Sequence, residues 1–483
     1  MKLLNQIATI TLVFLSGNTL ANNNVTIQIQ VGANNMADAD QTDPTTHNNL
    51  ISQTQFGVSN NSEAFQTTST NNSVATHLQA GEANIARSFQ QQNTTLSWVS
   101  ISQQGQANQV FAVQDDTSLT AATLNQAGLM NMAEIFQTSS TTSSALSNQL
   151  GSINISRIDQ VTTMATSAWI HQVGDMNQAG IGQQAGTTAS RAWAGQIGSS
   201  NFLSIGQNST TASSAWVSQV GKMNSGGIGQ TLTTENNAWL NQIGAMNNGS
   251  IVQSFATVDS AWFNQMGSLN GGSITQNFST ASSALSSQVG SRNLSMITQM
   301  STTASSALLN QVGSVNGGNI NQATTTASSA WFNQVGDMNG GNIFQATTTA
   351  SSTWINQIGS MNSNGIGQIT TIASYAFSNQ LGAMNESTIV QLNTDFSLAT
   401  VNQIGELNDV DITQENGTTL SLATASQAGA MNLTEIIQSG ASFSAAATFQ
   451  LGSNNVHTTN QTGTGQIAVA VQIGNGNMGA IMQ

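Results

Sequence analysis

Short runs in which apolar and polar residues alternate with a period of two follow one another along almost the whole chain, as in SAWFNQVGD (Ser329–Asp337) and GGNIFQA (Gly340–Ala346). Such alternation predicts strands, each with one buried face. The runs are not independent. The frame Gln, x, Gly, x, x, Asn, with a second Gln eleven residues after the first, occurs twenty times between Gln30 and Gln483, and its first Gln recurs every 22 to 25 residues. A period in this range is the mark of a solenoid, in which each unit is too small to bury its own face and stacks on its neighbours. Each unit reads as strand, turn and strand, closed by a Thr-rich connection such as Thr347–Thr349. The predicted fold is all-β: a β-solenoid of about twenty stacked strand-turn-strand repeats forming two parallel, in-register, amyloid-like sheets. Residues 22–48 hold an N-terminal segment with a degenerate first repeat, and residues 49–483 the array with its period of about 23.

Counting from the first Gln of each unit as position zero, side chains at minus two, minus four and minus six share its face, and those at plus seven and plus nine share the face of the Gln at plus eleven. Position plus nine is Ile in fifteen units, and minus four is mostly Ala, as at Ala215, Ala261 and Ala330. Both columns fit an interior. In-register stacking would set each Gln above its counterpart about 4.8 Å away, so that the amides bond one another up the column. The candidate core ladder is Gln172, Gln183, Gln219, Gln230, Gln242, Gln253, Gln265, Gln276, Gln311, Gln322, Gln334, Gln345, Gln357 and Gln368. Gly at plus two and Asn at plus five bracket a tight bend, because both residue types tolerate left-handed backbone. The bend residues singled out are Gly174, Asn177, Gly221, Asn224, Gly244, Asn247, Gly336 and Asn339.

Charge alters the picture in two ways. Only 5% of residues are charged, and six Lys and Arg stand against twenty Asp and Glu for a net charge of −14. This acidic balance disfavours nucleic acid as a partner. The charges are expected to avoid every core column, and Glu134 and Arg157, both at plus eight in consecutive units, are expected to be neighbours of opposite sign. Asp411 and Glu435 are expected to be neighbours of like sign. By parity a stripe at minus three, Trp169, Trp193, Trp216, Trp239, Trp262, Trp331 and Trp354, points outward and offers an apolar strip for lateral bundling or surface adhesion.

Candidate chemistry is sparse. No cysteine is present, which excludes disulfides and thiolate metal sites. The four histidines, His47, His77, His171 and His457, occupy unrelated repeat positions and are read as incidental. No Ser or Thr has a placed His or buried acid to activate it, so no enzymatic role, metal or cofactor is expected. At the N-terminus Lys2, an apolar stretch at Ile7–Leu15 and small residues up to Ala21 read as a secretory signal over residues 1–21, and no later segment is apolar enough to span a bilayer.

The Ser six residues before Gln, as in Ser213, Ser282, Ser305, Ser328, Ser351 and Ser374, followed by Gln, Gly, Asn and the second Gln, resembles the curlin repeat. The resemblance covers nearly the whole chain after residue 21. It implies a bacterial functional amyloid, exported through an outer-membrane secretion pore and polymerised at the cell surface, with a nucleator as partner, into extracellular curli-like fibres for biofilm matrix and cell adhesion. From the stacked edges themselves the expected partner is another copy of this chain, added end to end. The competing expectation is a soluble Thr-rich β-solenoid that binds ice or carbohydrate through regular Thr ranks such as Thr324–Thr326 and Thr347–Thr349.

Overall fold

A computed structural model describes residues 23–483, together with a two-residue strand at Val13–Phe14. The secretory-signal reading rests on residues outside residues 23–483. Among the described residues every regular element is a strand. The chain divides into two compact units, one ending at Glu235 and the other spanning Asn236–Gln483. Each is a β-solenoid.

One rung serves to describe all. The first strand, Ser329–Asp337, runs from minus five to plus three, and the second, Gly340–Ala346, from plus six to plus twelve. Met338 and Asn339 make the turn, and residues 347–351 close the rung. Nine such rungs fill the N-terminal unit, with first strands from Val25–Ala33 to Ser214–Lys222; eleven fill the C-terminal unit, from Asn237–Ala245 to Ile467–Asn475. The degenerate first repeat forms a rung of its own, Val25 to Ala33 pairing residue for residue with Leu50 to Val58.

Pairing between rungs is parallel and in register. Ser329 meets Ser352, Gln334 meets Gln357 and Asp337 meets Ser360 on one sheet, while Gly340 meets Ser363 and Gln345 meets Gln368 on the other. Because the side-chain period is two, this register sends whole columns inward: Ala330, Phe332 and Gln334 from one strand, Ile343 and Gln345 from the other, all buried. The core is a single layer of interdigitated side chains between the two sheets.

Most rungs bend at three left-handed residues that are not glycine, here Met338 at plus four, Thr347 at plus thirteen and Ala350 at plus sixteen, with φ of 57°, 55° and 51°; near the C-terminus glycine takes some of these places, as at Gly440 and Gly476. Left-handed backbone is costly for such residues. What offsets the cost lies in the preceding rung, because the N–H groups of Met338, Thr347 and Ala350 donate to the carbonyls of Ser314, Ala323 and Thr326, each at 2.9 Å. The bends are therefore coupled to stacking rather than to local preference.

This corrects the expected basis of the turn. Asn339 at plus five has no left-handed φ; the left-handed residue is the one before it, and the same holds for Met176 before Asn177, Met223 before Asn224 and Met246 before Asn247. Asn is required at plus five for another reason, given below. A second correction concerns charge. Asp259 occupies minus six, an inward column, and is fully buried.

Candidate functional site: the amide columns

The amide group of a glutamine carries two N–H donors and one carbonyl acceptor, all of which need partners once water is excluded. In a rung with a neighbour on each side, the Gln at position zero finds them in three directions. Gln334 Nε2 donates to Gln357 Oε1 of the following rung at 3.0 Å and to the carbonyl of Gly317 in the preceding rung at 3.0 Å, while its own Oε1 accepts from Gln311 Nε2 at 2.8 Å. Gln172 does the same with Gln196, Ile155 and Gln149. Gln242, Gln265 and Gln288 form another continuous run at 2.8 and 2.9 Å. Gln219 accepts from Gln196 at 2.9 Å and donates to the carbonyl of Phe202 at 2.8 Å.

The second glutamine column behaves alike at the opposite corner. Gln322, Gln345 and Gln368 are linked at 2.8 Å each, Gln253 and Gln276 at 2.8 Å, Gln183 and Gln207 at 2.7 Å, and Gln207 and Gln230 at 2.8 Å. Their second N–H points to the strand start, as when Gln345 donates to the carbonyl of Ser329 at 3.3 Å. Gln311 and Gln357, like all of these, are buried. Both glutamine ladders run the same way, donor toward the following rung.

Asparagine forms a third column that the sequence reading assigned only to the turn. Asn339 Nδ2 donates to Asn316 Oδ1 in the rung before at 3.2 Å and to the carbonyl of Gly359 in the rung after at 3.0 Å, and its N–H also reaches Asn316 Oδ1 at 3.1 Å. Asn177, Asn224 and Asn247 sit likewise, buried, with Asn177 reaching the carbonyl of Gly198 and Asn247 that of Gly267. This contact also accounts for Gly at plus two. Gly336 has φ of +118°, and a Cβ there would lie 1.9 Å from the carbonyl oxygen of Gly359. Gly174 and Gly244 would meet the next Gly carbonyl at 2.0 and 1.8 Å, and Gly221 shares the left-handed φ at +126°. Gly and Asn are two halves of one clasp: the first lets successive turns approach, and the second binds the carbonyl so exposed.

A fourth column closes the far corner. Ser351 at minus six shares a 2.9 Å hydrogen bond with Thr371 at plus fourteen, and Ser328 one of 3.0 Å with Thr348. Thr325, Thr348 and Thr371 are buried, so the middle residue of each Thr triplet faces inward. Asp259 interrupts this column of hydroxyls. Its carboxylate accepts from the Ser282 N–H at 2.8 Å and from the Ser279 hydroxyl, and burial raises its pKa above the usual carboxylate range.

His77 is likewise part of the interior rather than incidental. It stands at minus two, 2% exposed, with Nδ1 2.8 Å from Ser62 Oγ and Nε2 2.8 Å from Ser88 Oγ. Burial lowers its pKa to about 3, so it is neutral at physiological pH. His457 is buried beside Thr459, 3.0 Å away, and burial lowers its pKa as well. Sequence parity alone could have placed both, since minus two and plus seven are inward positions.

Outside the core, the Trp stripe stands where parity put it. Trp169, Trp216, Trp239, Trp262, Trp331 and Trp354 are exposed; Trp193 is half-buried because its ring folds over Gly195. Trp239 and Trp262 stack with ring centroids 5.2 Å apart, Trp331 and Trp354 at 5.3 Å, and Trp193 and Trp216 at 5.5 Å. Arg157 pairs with Glu134 at 3.2 Å and with Asp159 at 2.8 Å, while Asp411 and Glu435 stand side by side in register. No protein-family model matches the chain, and no curated protein matches it.

Proposed function

We propose that the chain is a secreted structural protein that assembles with copies of itself into extracellular amyloid fibres, as the resemblance to curlin repeats implies. One observation carries this reading: the columns of Gln and Asn are directional and self-complementary. Any rung without a neighbour leaves buried amides unpaired, at roughly 1–3 kcal/mol for each stranded group. Only another rung of the same pattern satisfies them. A copy of the chain is such a partner, and the left-handed bends add to the demand because their N–H groups also need a rung beneath them. Matrix building and adhesion, export through an outer-membrane pore and a nucleating partner belong to the same proposal.

The Thr-array reading has less support. With the middle Thr of each triplet buried, the exposed Thr at this corner of the C-terminal unit are one rank of five, Thr257, Thr280, Thr303, Thr326 and Thr349, and a shorter one, Thr324, Thr347 and Thr370, so no broad Thr face is left.

The test is assembly of the purified chain without residues 1–21. The expected result is dye-binding fibres whose diffraction shows spacings of about 4.8 and about 10 Å. A chain that stays monomeric by sedimentation over days, and lowers the freezing point below the melting point, would overturn the proposal in favour of the Thr array.

A further inference from the structure

The two outer faces of the C-terminal unit differ in kind. On the second-strand face, Glu386 stands beside Asp409 and Asp411 beside Glu435, each pair in register. Two such faces could not lie together without bringing carboxylates against carboxylates. The first-strand face is free of that obstacle. Across all eleven rungs its outward positions at minus five, minus three, minus one and plus one contain no Asp, Glu, Lys, Arg or His.

That face is apolar in two columns. At minus three run Trp239, Trp262, Leu285, Leu308, Trp331 and Trp354, all exposed except the half-buried Leu308. At plus one the residues are mostly Val, Ile, Leu or Met, as at Ile243, Met266 and Val335, again exposed. Between the two columns lie the residues at minus one, and here the amides are already occupied. Asn310, Asn333, Asn356, Asn379 and Asn402 are joined in one ladder at 2.8 to 2.9 Å. Covering the face therefore strands few donors or acceptors, which removes the usual cost of burying a polar surface.

We infer that the first-strand face of the C-terminal unit is the surface on which a second copy of this chain lies, sheet against sheet. The dimensions suit that occupant. Seven residues across at about 3.3 Å each and eleven rungs at about 4.8 Å give about 1,200 Å² per copy, hence about 2,400 Å² in the pair, which is large enough for a stable protein interface. A monomer's largest apolar patch is ordinarily a few hundred Å². Lack of charge matters for a chain of net charge −14, since two copies approach by the one face that carries none of it. Matching columns of Trp and Val then meet across the pair as in a dry sheet interface. The inference deepens the fibre proposal by naming how stacked chains associate sideways.

The test places Lys at two outward positions two rungs apart, Val335→Lys with Leu381→Lys, and compares them with Asn342→Lys on the opposite face. Circular dichroism checks that each variant folds. In assembled wild-type protein the expected mass per unit length is that of two stacked chains side by side, with Trp emission shielded from a soluble quencher. The double variant should halve the mass per length and raise quenching several-fold, whereas Asn342→Lys should change neither. Fibres of single-chain mass per length whose Trp residues stay open to quencher overturn this inference and leave the fibre proposal standing. Should no fibres form, the fibre proposal fails by itself; sedimentation then decides the face, a dimer split by the two Lys supporting it and a wild-type monomer overturning it.

Discussion

Two kinds of column run through the interior, and they obey different rules. The Gln, Gly, Asn and Gln columns repeat without exception in all twenty rungs, whereas the central positions, minus two and plus seven, vary from rung to rung. The fixed columns are bound along the stack, each residue to its own kind above and below. The central ones are bound across it, and they vary in pairs. Phe263 at minus two faces Gly249 and Gly272, where a Cβ would come within 3.2 and 3.0 Å of its ring; Leu309 faces Gly318, where a Cβ would lie 2.7 Å from its Cδ1. Where minus two is Ser, plus seven is Ser as well, and their hydroxyls bond: Ser147 with Ser156 at 2.6 Å, Ser286 with Ser295 and Ser378 with Ser387 at 2.7 Å. Positions that must match an identical neighbour cannot vary, while positions that fill a gap may do so provided their partner does.

The sharpest break of a fixed column is Gly336→Ala. It puts a Cβ on a left-handed backbone and within 1.9 Å of backbone in the next rung, with no side chain to move aside. Strain and clash together should cost about 3–5 kcal/mol. Because a solenoid's stability is nearly a sum over neighbours, the damage should stay local. Hydrogen exchange should show lost protection at Met338, Asn339 and their neighbours in adjacent rungs. Retained protection would mean that the turns are less closely stacked than the structure has them.

Gln334→Leu comes next. It fills the space but leaves an N–H of Gln311 and the carbonyl oxygen of Gln357 without their ladder partner. A loss of about 2–4 kcal/mol is expected for two stranded groups. The outward amide in the same strand is the control. Asn333→Leu breaks a part-buried ladder at the surface and should cost under about 1 kcal/mol, since water replaces the partner. Equal losses in denaturant titration would contradict the distinction between buried and surface ladders.

Varying columns predict rescue, which fixed ones do not. Gly318→Ser alone should clash with Leu309, and Leu309→Ser alone should leave a hole and an unpaired hydroxyl, each at about 1–3 kcal/mol. Together they reproduce the arrangement of Ser286 and Ser295 one rung earlier. The pair should lose at least 1 kcal/mol less than the sum of the single changes. Additive losses would show that the central positions do not adjust to each other.

How much of this could be read beforehand follows the same division. The inward columns were legible because two periods coincide there, the two of a strand and the 23 of the repeat; Gln172, Gln334 and Ile343 could be placed from spacing alone. The left-handed residue could not. Met338 bends because its N–H bonds Ser314 one rung away, and no local propensity encodes that contact. The Asn ladder was missed for a related reason, since Asn in a turn has a sufficient local explanation that conceals the longer-range one. Asp259 breaks the expectation that charges avoid every core column, although minus six is an inward position by parity. The Phe263 and Gly272 match was present in the sequence as covariation between repeats, a signal that only counting across rungs reveals.

Two buried ionisable groups sharpen the comparison through pH. His77 has its pKa lowered to about 3 from an ordinary 6.5, so between those values the unfolded chain binds a proton that the folded one refuses. Its rung is therefore most stable above pH 6.5 and weakens as pH falls toward 3. Exchange protection at Thr76, His77 and Leu78 should drop over that window, and His77→Ser should flatten the dependence.

Asp259 should act in the opposite sense and by less, because its carboxylate keeps two hydrogen-bond donors, Ser279 and Ser282, that partly offset burial. A raised pKa means that the folded state holds the proton at pH values where the unfolded state has released it. The contribution is whole below the ordinary carboxylate value of 3.8 and is lost as pH rises through the raised one. Asp409, held up to about 6 by burial and then by Asp411 and Glu386, shares that sign but lies on other rungs. Protection at Ser260 and Ser282 should thus increase on mild acidification while that around His77 falls. Asp259→Ser, which restores the hydroxyl that occupies minus six in most rungs, should remove the increase and raise protection at neutral pH. If acid weakened both rungs alike, the carboxylate at minus six would have to be ionised and well solvated, and the inward reading of that column would fail with it.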